Sequence, residues 1–344
     1  MSLLPFEKIK RKELVRKSAE TSAKFGCRPE DRTTEQILNY GVVNIDKPSG
    51  PTSHQVSDYL QRVLNINKSG HSGTLDPKVT GCLPVALGDS TKVVQVLLHA
   101  GKEYVGIMHL HKTVSEKKLN EAIEKFTGRI KQLPPIKSSV KRQWRFRNIY
   151  YFEVLEISED GKDILFKVGC QAGTYIRKLV HDLGQGIKDE TGNPIGAHMS
   201  ELRRTKAGPF NESTLCTLQD LADAFYYYKQ GNNESRNDKF LRAIIQPVEN
   251  AVAHLPKVWV FDTTVDTLCH GAQLKVPGIS KVESDIQTAD QVAIMTLKDE
   301  LVAFGEALII SKSMVQEERG IAVKIKRVFM KPGVYPRIDR LPNV

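Results

Sequence analysis

Cysteine is scarce in this 344-residue chain: five are present, at 27, 82, 170, 216 and 269, and no two form a CxxC pair. An odd, scattered set excludes a disulfide framework and a zinc knuckle, and implies a reducing, intracellular compartment. Long apolar runs are missing too. None approaches the roughly 20 residues of a membrane span, and the first residues lack the apolar core of a signal peptide, so no membrane partner is expected. What the chain has in excess is positive charge. Its formal net charge of +10 points to a polyanionic partner without separating RNA from DNA or an acidic membrane surface. Its length predicts two domains, or one domain with an appendage.

Patterning divides the chain into three parts. Residues 1–38 are charge-rich, with Lys8, Lys10, Arg11, Lys12, Arg16 and Lys17 clustered, and hold too few apolar side chains for a core of their own. Residues 39–254 intermix strand and helix patterns, predicting an α+β body on a mixed sheet. Residues 41–45 read as a strand, and 102–111 alternate, with Tyr104, Gly106, Met108 and Leu110 on one face. Residues 151–157 and 164–168 predict a hairpin across the EDGK turn at 159–162. Just before the hairpin lies KRQWRFRN (141–148), whose Lys141, Arg142, Arg145 and Arg147 are interleaved with Trp144 and Phe146, the composition of a nucleic-acid stacking surface or of a solvated sheet edge. Polar stretches at 188–194 and 229–238 read as surface loops. Residues 255–344 read as a small all-β barrel, with strands near 258–261, 290–297, 300–310 and 320–330.

One stretch carries the chemistry. Residues 70–81 read GHSGTLDPKVTG, in which Gly70, Gly73 and Gly81 supply backbone freedom around a single carboxylate, Asp76. Pro77 biases Asp76 away from the helical region, so the acid is presented and not packed. The stretch resembles the GH(S/T)GxLDPxxTG signature of the TruB/dyskerin family of pseudouridine synthases. Residues 41–54 (GVVNIDKPSGPTSH), 102–106 (KEYVG), 173–184 (GTYIRKLVHDLG) and 200–210 (SELRRTKAGPF) are similar to the family's other motifs, in the family's order. Within the family, the PPIKSSVK run at 134–141 and the C-terminal segment look like the archaeal and eukaryotic catalytic subunit of box H/ACA ribonucleoproteins.

The resemblance implies a catalytic domain followed by an RNA-binding PUA domain, with the basic extension packing on the latter. It implies isomerisation of uridine to pseudouridine in rRNA, and possibly tRNA, with a stand-alone tRNA pseudouridine-55 synthase as the alternative and a non-catalytic RNA scaffold as a third reading. The reaction gains no atoms or electrons, so no metal or other cofactor is expected. Asp76 would be the nucleophile or general base. Burial disfavours its charged form, which calls for a neighbouring cation. Arg177 fits: Ile176, Leu179, Val180 and Leu183 mark the buried face of a helix, Arg177 lies off it, and a cation in the first turn opposes the helix dipole, a pattern that suits either a solvated surface residue or an anionic partner. The resemblance decides for the partner, since the family's equivalent arginine pairs with the catalytic aspartate. Tyr104 would stack on the flipped base, His71 would fill the space that base vacates, and Leu202 and Lys47 would line or enter the pocket. Lys141, Arg142, Arg145 and Arg147 would form a thumb loop on RNA, Arg203 and Arg204 would serve phosphates, and His270 and Gly271 would contact the ACA trinucleotide. His109 and His111 share a strand face, but with no third ligand nearby they read as structural. Implied partners are the guide RNA, a small zinc-ribbon-like protein, a β-barrel Gar-type protein and a kink-turn-binding ribosomal-type protein. Lys-rich terminal tracts of eukaryotic relatives are missing, so an archaeal-type, cytoplasmic protein is expected, with a nucleolar one as the eukaryotic alternative.

Overall fold

The computed structural model describes residues 2–134, 141–230 and 237–337. It contains two sheets. The chain's first strand, β1 (Glu13–Val15), belongs to the smaller one, and the segment between Gly41 and Pro247 builds the larger. The larger sheet comprises β2 (Gly41–Lys47), β3 (Ser69–His71), β4 (Thr80–Leu87), β5 (Lys102–Leu110), β6 (Gly128–Gln132), β7 (Arg145–Ile157), β8 (Asp163–Cys170), β9 (Ala197–Ala207), β10 (Phe210–Asn211) and β11 (Ile245–Pro247). Its order is β11-β2-β4-β9-β5-β8-β7-β6, with β3 on β4 and β10 on β9. Only β4 and β9 pair in parallel.

Period-two alternation explains the central strand. In β5, Tyr104, Gly106, Met108 and Leu110 are buried while Val105, Ile107 and His109 are half-exposed, as the pattern predicts. Gly106 has a packing reason. A Cβ there would stand 2.7 Å from the Glu201 carbonyl and 2.8 Å from Leu202 Cδ1, so only glycine lets β9 lie this close. The hairpin of β7 and β8 forms as expected, but β7 starts at Arg145 and takes half of the basic-aromatic segment into the sheet.

Helices cover the sheet where their apolar faces meet it. Helix α1 (Thr34–Tyr40) and α2 (Ser53–Leu64) pack Ile37, Val56, Leu60 and Leu64 against Val43, Ile45 and Val85. Thr52 and Gln55 close a reciprocal cap that sets the entry angle of α2. Further on come α3 (Val94–His99), α4 (Glu116–Phe126) and α5 (Ile176–Gly186). Ile176, Leu179, Val180 and Leu183 of α5 join a core with Phe152, Phe166 and Val168, the face predicted from spacing. Helices α6 (Leu218–Gln230) and α7 (Lys239–Ile244) close the body, with Leu221, Ala224 and Leu241 in its second core. The segments 135–140 and 231–236, within the PPIKSSVK run and the polar loop named above, lie outside the described residues.

The smaller sheet has the order β1-β14-β12-β15-β16-β17-β13, where β12 is Lys257–Val260, β13 Leu274–Lys275, β14 Ile279–Glu283, β15 Gln291–Met295, β16 Leu301–Ala307 and β17 Ile321–Val328. An all-β reading of this region misses two helices, α8 (Asp262–Cys269) and α9 (Ser311–Gln316). The β-branched Thr263, Thr264, Val265 and Thr267 look strand-like, but Val265 and Leu268 are buried at helical spacing. Residues of the basic extension complete this sheet, Leu14 opposite Val282. The extension is held further by Thr21 and Ser22 donating to the Asp262 carboxylate and by a two-pronged Arg32–Glu249 pair at 2.7 and 2.8 Å.

Candidate active site

The motif loop connects β3 to β4, and its conformation follows from what holds its back. Lys47, at the end of β2, is fully buried and donates to the carbonyls of Pro48, Pro77 and Val79, each at 2.9 Å. Burial is the chief cause that lowers its pKa, and the nearby Asp76 charge opposes that. Ser53, first residue of α2, accepts from Leu75 N–H at 2.9 Å. Gly73 and Gly81 take positive φ of 123° and 97°, as the motif requires. Gly70 does not share that role: it lies in β3, where a Cβ would sit 3.3 Å from Val94 Cγ2.

Arg204 clamps the same loop from beneath. It is 1% exposed, and its Nε donates to Cys82 O at 2.7 Å and its Nη2 to Gly73 O at 3.3 Å. A Cβ at Gly81 would meet Arg204 O at 2.2 Å, so the parallel β4–β9 pair closes only around glycine. Arg204 therefore does not serve phosphates. Its neighbour is already engaged by two carboxylates but stays partly open to solvent. Arg203 grips both Asp46 carboxylate oxygens at 2.9 and 3.0 Å and reaches Glu212 at 2.6 Å, contacts that raise its pKa further above the ordinary arginine range. Lys47 is likewise corrected: with all three donors on backbone carbonyls it is a support for the loop and not a substrate contact.

On the front of this frame stands Asp76. Its Oδ2 lies 2.8 Å from Arg177 Nη2, and both side chains are open, at 54% and 62% exposure. The Asp76–Arg177 pairing that the resemblance implies is present, but both groups stand open to solvent in the free chain and not in an enclosed pocket. Arg177 is held where its helix begins. Tyr175 is the N-terminal cap residue of α5, and the amide of the buried Gln132 brackets it, accepting from Tyr175 N–H at 3.1 Å and donating to Tyr175 O at 3.2 Å.

Around the acid, Tyr104 is 9% exposed and its hydroxyl bonds to Arg204; desolvation raises its pKa. Leu202 lies over Gly106, partly buried against the main core. His71 stands edge-on to His54, ring centroids 4.8 Å apart, with its Nδ1 buried and unpartnered. Desolvation first, then the like charges of His54 and Arg204, lower its pKa to about 4. His71 is thus a neutral ring at physiological pH. Sequence reasoning missed His54, although it ends the GPTSH segment, and Gln132.

The basic-aromatic segment is only partly a surface. Lys141 and Arg142 are exposed, as are Trp144 and Phe146 at 58% and 52%. Arg145 and Arg147 are half-buried, with Nε atoms shielded and unpartnered. The cations over the rings come from β6 instead: Arg129 lies 4.0 Å from the Phe146 centroid and Lys131 5.0 Å from that of Trp144. Their alternation around the buried Ile130 was the available signal. In the smaller domain Gly271 has φ 88° and open space around it, while His270 is held between Asp266 O at 2.8 Å and Arg337 at 2.7 Å. No helix among the described residues is long and apolar enough to cross a membrane.

A half-exposed carboxylate paired to a guanidinium, beside a buried tyrosine and a neutral histidine, suits attack on, or proton removal from, a sugar whose base has been swung out of its stack. Family comparison agrees. Residues 61–176 match the N-terminal domain of TruB family pseudouridylate synthases, 177–253 the C-terminal domain of tRNA pseudouridylate synthase B, 2–57 the DKCLD (NUC011) domain and 256–329 the PUA domain. The chain is 52% identical over 338 residues to a probable tRNA pseudouridine synthase B of Pyrococcus horikoshii, covering 98% of this chain and 97% of that protein. A protein of the same name from Nanoarchaeum equitans is 51% identical over 97% of this chain and 92% of its own length. Among solved structures, a chain of a Cbf5-Nop10-Gar1 complex matches with TM-score 0.89 at 51% identity, covering 98% of this chain and 99% of that one. A chain of an H/ACA RNP bound to a substrate RNA containing 2'-deoxyuridine matches with TM-score 0.88 at 49% identity, covering 98% and 100%.

Proposed function

The chain belongs to the TruB family of pseudouridylate synthases and is an RNA pseudouridine synthase, and from that premise we propose that it is the catalytic subunit of a box H/ACA ribonucleoprotein. The observation that carries this reading is likeness from end to end: the extension, the catalytic body and the PUA domain all align with chains from Cbf5 and H/ACA assemblies. In this reading a guide RNA anchored on the PUA domain selects the uridine, in rRNA and also in tRNA. A zinc-ribbon-like protein sits on the catalytic body, a Gar-type β-barrel protein tunes the thumb, and a kink-turn-binding ribosomal-type protein seats the guide. The assembly works in the cytoplasm.

Each residue then has a task. The N1–C1′ bond breaks, the base turns, C5 bonds to C1′ and gives up its proton, and N1 takes one up, so the product is an isomer of the substrate. Asp76 acts at the sugar, either on C1′ or on a sugar proton, while Arg177 holds its charge in place. Tyr104 and Leu202 receive the base, and neutral His71 takes its former position without introducing a charge. Bound RNA closes over the open Asp76–Arg177 pair and excludes water. A second reading, a stand-alone enzyme acting on tRNA, is favoured by the names of the relatives.

The test adds components in turn to the purified chain and measures pseudouridine in an rRNA fragment and a tRNA. Modification of the rRNA site only with its guide supports the proposal. Modification of tRNA alone, with the guided rRNA unchanged by every combination, replaces it with the stand-alone reading.

A further inference from the structure

By sequence spacing His109 and His111 lack a third ligand nearby, and the fold puts only His109 on β5, with His111 one residue past its end. The sheet supplies one. His109 on β5 is the direct partner of His198 on β9 and of Asp163 on β8, so a row Asp163–His109–His198 crosses three adjacent strands. His111 lies just past the end of β5, and its ring still meets those of His109 and His198. Three imidazoles from a His-x-His pair and its cross-strand neighbour thus meet at one end of the sheet. They lie about 17 Å along the strand from Tyr104 and so outside the catalytic cleft.

Distances separate this cluster from a chance gathering. Ring centroids are 5.1 Å apart for His109 and His198, 5.3 Å for His111 and His198, and 6.3 Å for His109 and His111. His111 Nε2 and His198 Nδ1 stand 3.1 Å apart. Two nitrogens on one tetrahedral ion, with metal–nitrogen bonds near 2.0–2.1 Å, would be about 3.3 Å apart. His109 Nδ1 bonds to Asp163 Oδ1 at 2.8 Å. A carboxylate only accepts, so Nδ1–H is the donor and Nε2 is the nitrogen left to ligate, the orientation a ligating histidine takes from an outer carboxylate. Gly196, where a Cβ would lie 2.6 Å from His111 Nδ1, seats the third ring. His109, His198 and Asp163 border an open basin of about 510 Å³ lined also by Ile107, Ser200 and Glu201, the last adding negative charge, with His111 beside it against His198.

We propose that His109, His111 and His198 form a binding site for one divalent transition-metal ion of the zinc class, with Asp163 as the outer partner of His109. Among the described residues no three such groups meet at one metal position as the rings stand. Closure takes rotation of side chains on fixed strands. The borderline-soft, all-imidazole donor set selects zinc, copper, nickel or cobalt over magnesium or calcium.

The test titrates Co(II) into the untagged, chelator-treated full chain, follows the visible d–d absorption, and then displaces the ion with Zn(II). One equivalent is expected to bind wild type. His198→Gln and His111→Gln should each weaken binding at least tenfold, and Asp163→Asn should weaken it less. Circular dichroism melting establishes that each variant folds, and exposed His111 carries the test on its own if His198→Gln does not. Absence of Co(II) absorption in wild type, or wild-type affinity in a folded His198→Gln or His111→Gln chain, overturns the proposal.

Discussion

The catalytic loop has two sides, and they treat charge in opposite ways. At the front, Asp76 and Arg177 are more than half exposed and meet through one contact. At the back, Lys47 and Arg204 are sealed from solvent, and the contacts that hold the loop go to backbone carbonyls. An exposed pair contributes little to stability, because water competes for both partners. A buried cation bonded to main-chain oxygens fixes a conformation, because removing it strands acceptors that nothing replaces. Reactivity and rigidity are therefore carried by different charges, which meet the loop one residue apart, Arg177 at the Asp76 carboxylate and Lys47 at the Pro77 carbonyl.

This division predicts a ranking. Asp76→Asn should abolish pseudouridine formation while leaving melting temperature and RNA affinity near wild type; turnover by a clean preparation would remove the acid from the mechanism. Arg177→Lys keeps the charge and loses the planar fork, and should cut the single-turnover rate roughly tenfold or more without destabilising the fold. An equal fall in melting temperature would make Arg177 part of the frame. Lys47→Met should do the reverse. Three carbonyls lose their donor, so stability should drop by about 2 kcal/mol or more in denaturant unfolding, with activity recovering in part at low temperature. A Lys47→Met chain as stable as wild type would break the distinction between front and back.

The smallest effect is in pH. His71 and His254 both have pKa values lowered to about 4, chiefly by desolvation, against 6.5 unfolded. The unfolded chain thus binds protons between those values and the native chain does not, so stability should fall as pH drops from 6.5 toward 4. Read between pH 7 and 5, above most carboxylate titration, the decline in melting temperature should be shallower in His71→Asn and His254→Asn. A slope unchanged in both variants would place the titrating groups elsewhere.

Legibility follows the same two sides. Asp76, Tyr104 and Arg177 were readable because each sits in a contiguous motif that resembles the family's; the local patterns alone, a proline, an alternation and an apolar stripe, placed them on a turn, a strand and a helix without assigning them chemistry. Lys47 was not, since its acceptors lie up to 32 residues away in a loop whose path no local pattern specifies. Arg203 and Arg204 look equivalent in sequence, yet adjacent strand residues face opposite ways, so one reaches the Asp46 and Glu212 carboxylates and the other enters the interior. His198 is 87 residues from His111 and became its neighbour only through strand register. In the smaller domain the strands were visible, and α8 was hidden by its threonines.

Strand β1 has a consequence for how the protein is made. It covers the edge of β14, and Lys281 reaches back 268 residues to Glu13. During translation β1 leaves the ribosome 268 residues ahead of Lys281, so it waits without its partner while the larger sheet is made. When β14 follows, its covering strand is already there, so its edge need never be bare at the moment of closure. A fragment begun after residue 38 forfeits that protection: it would fold with an open strand edge, and self-association through that edge is its expected fate.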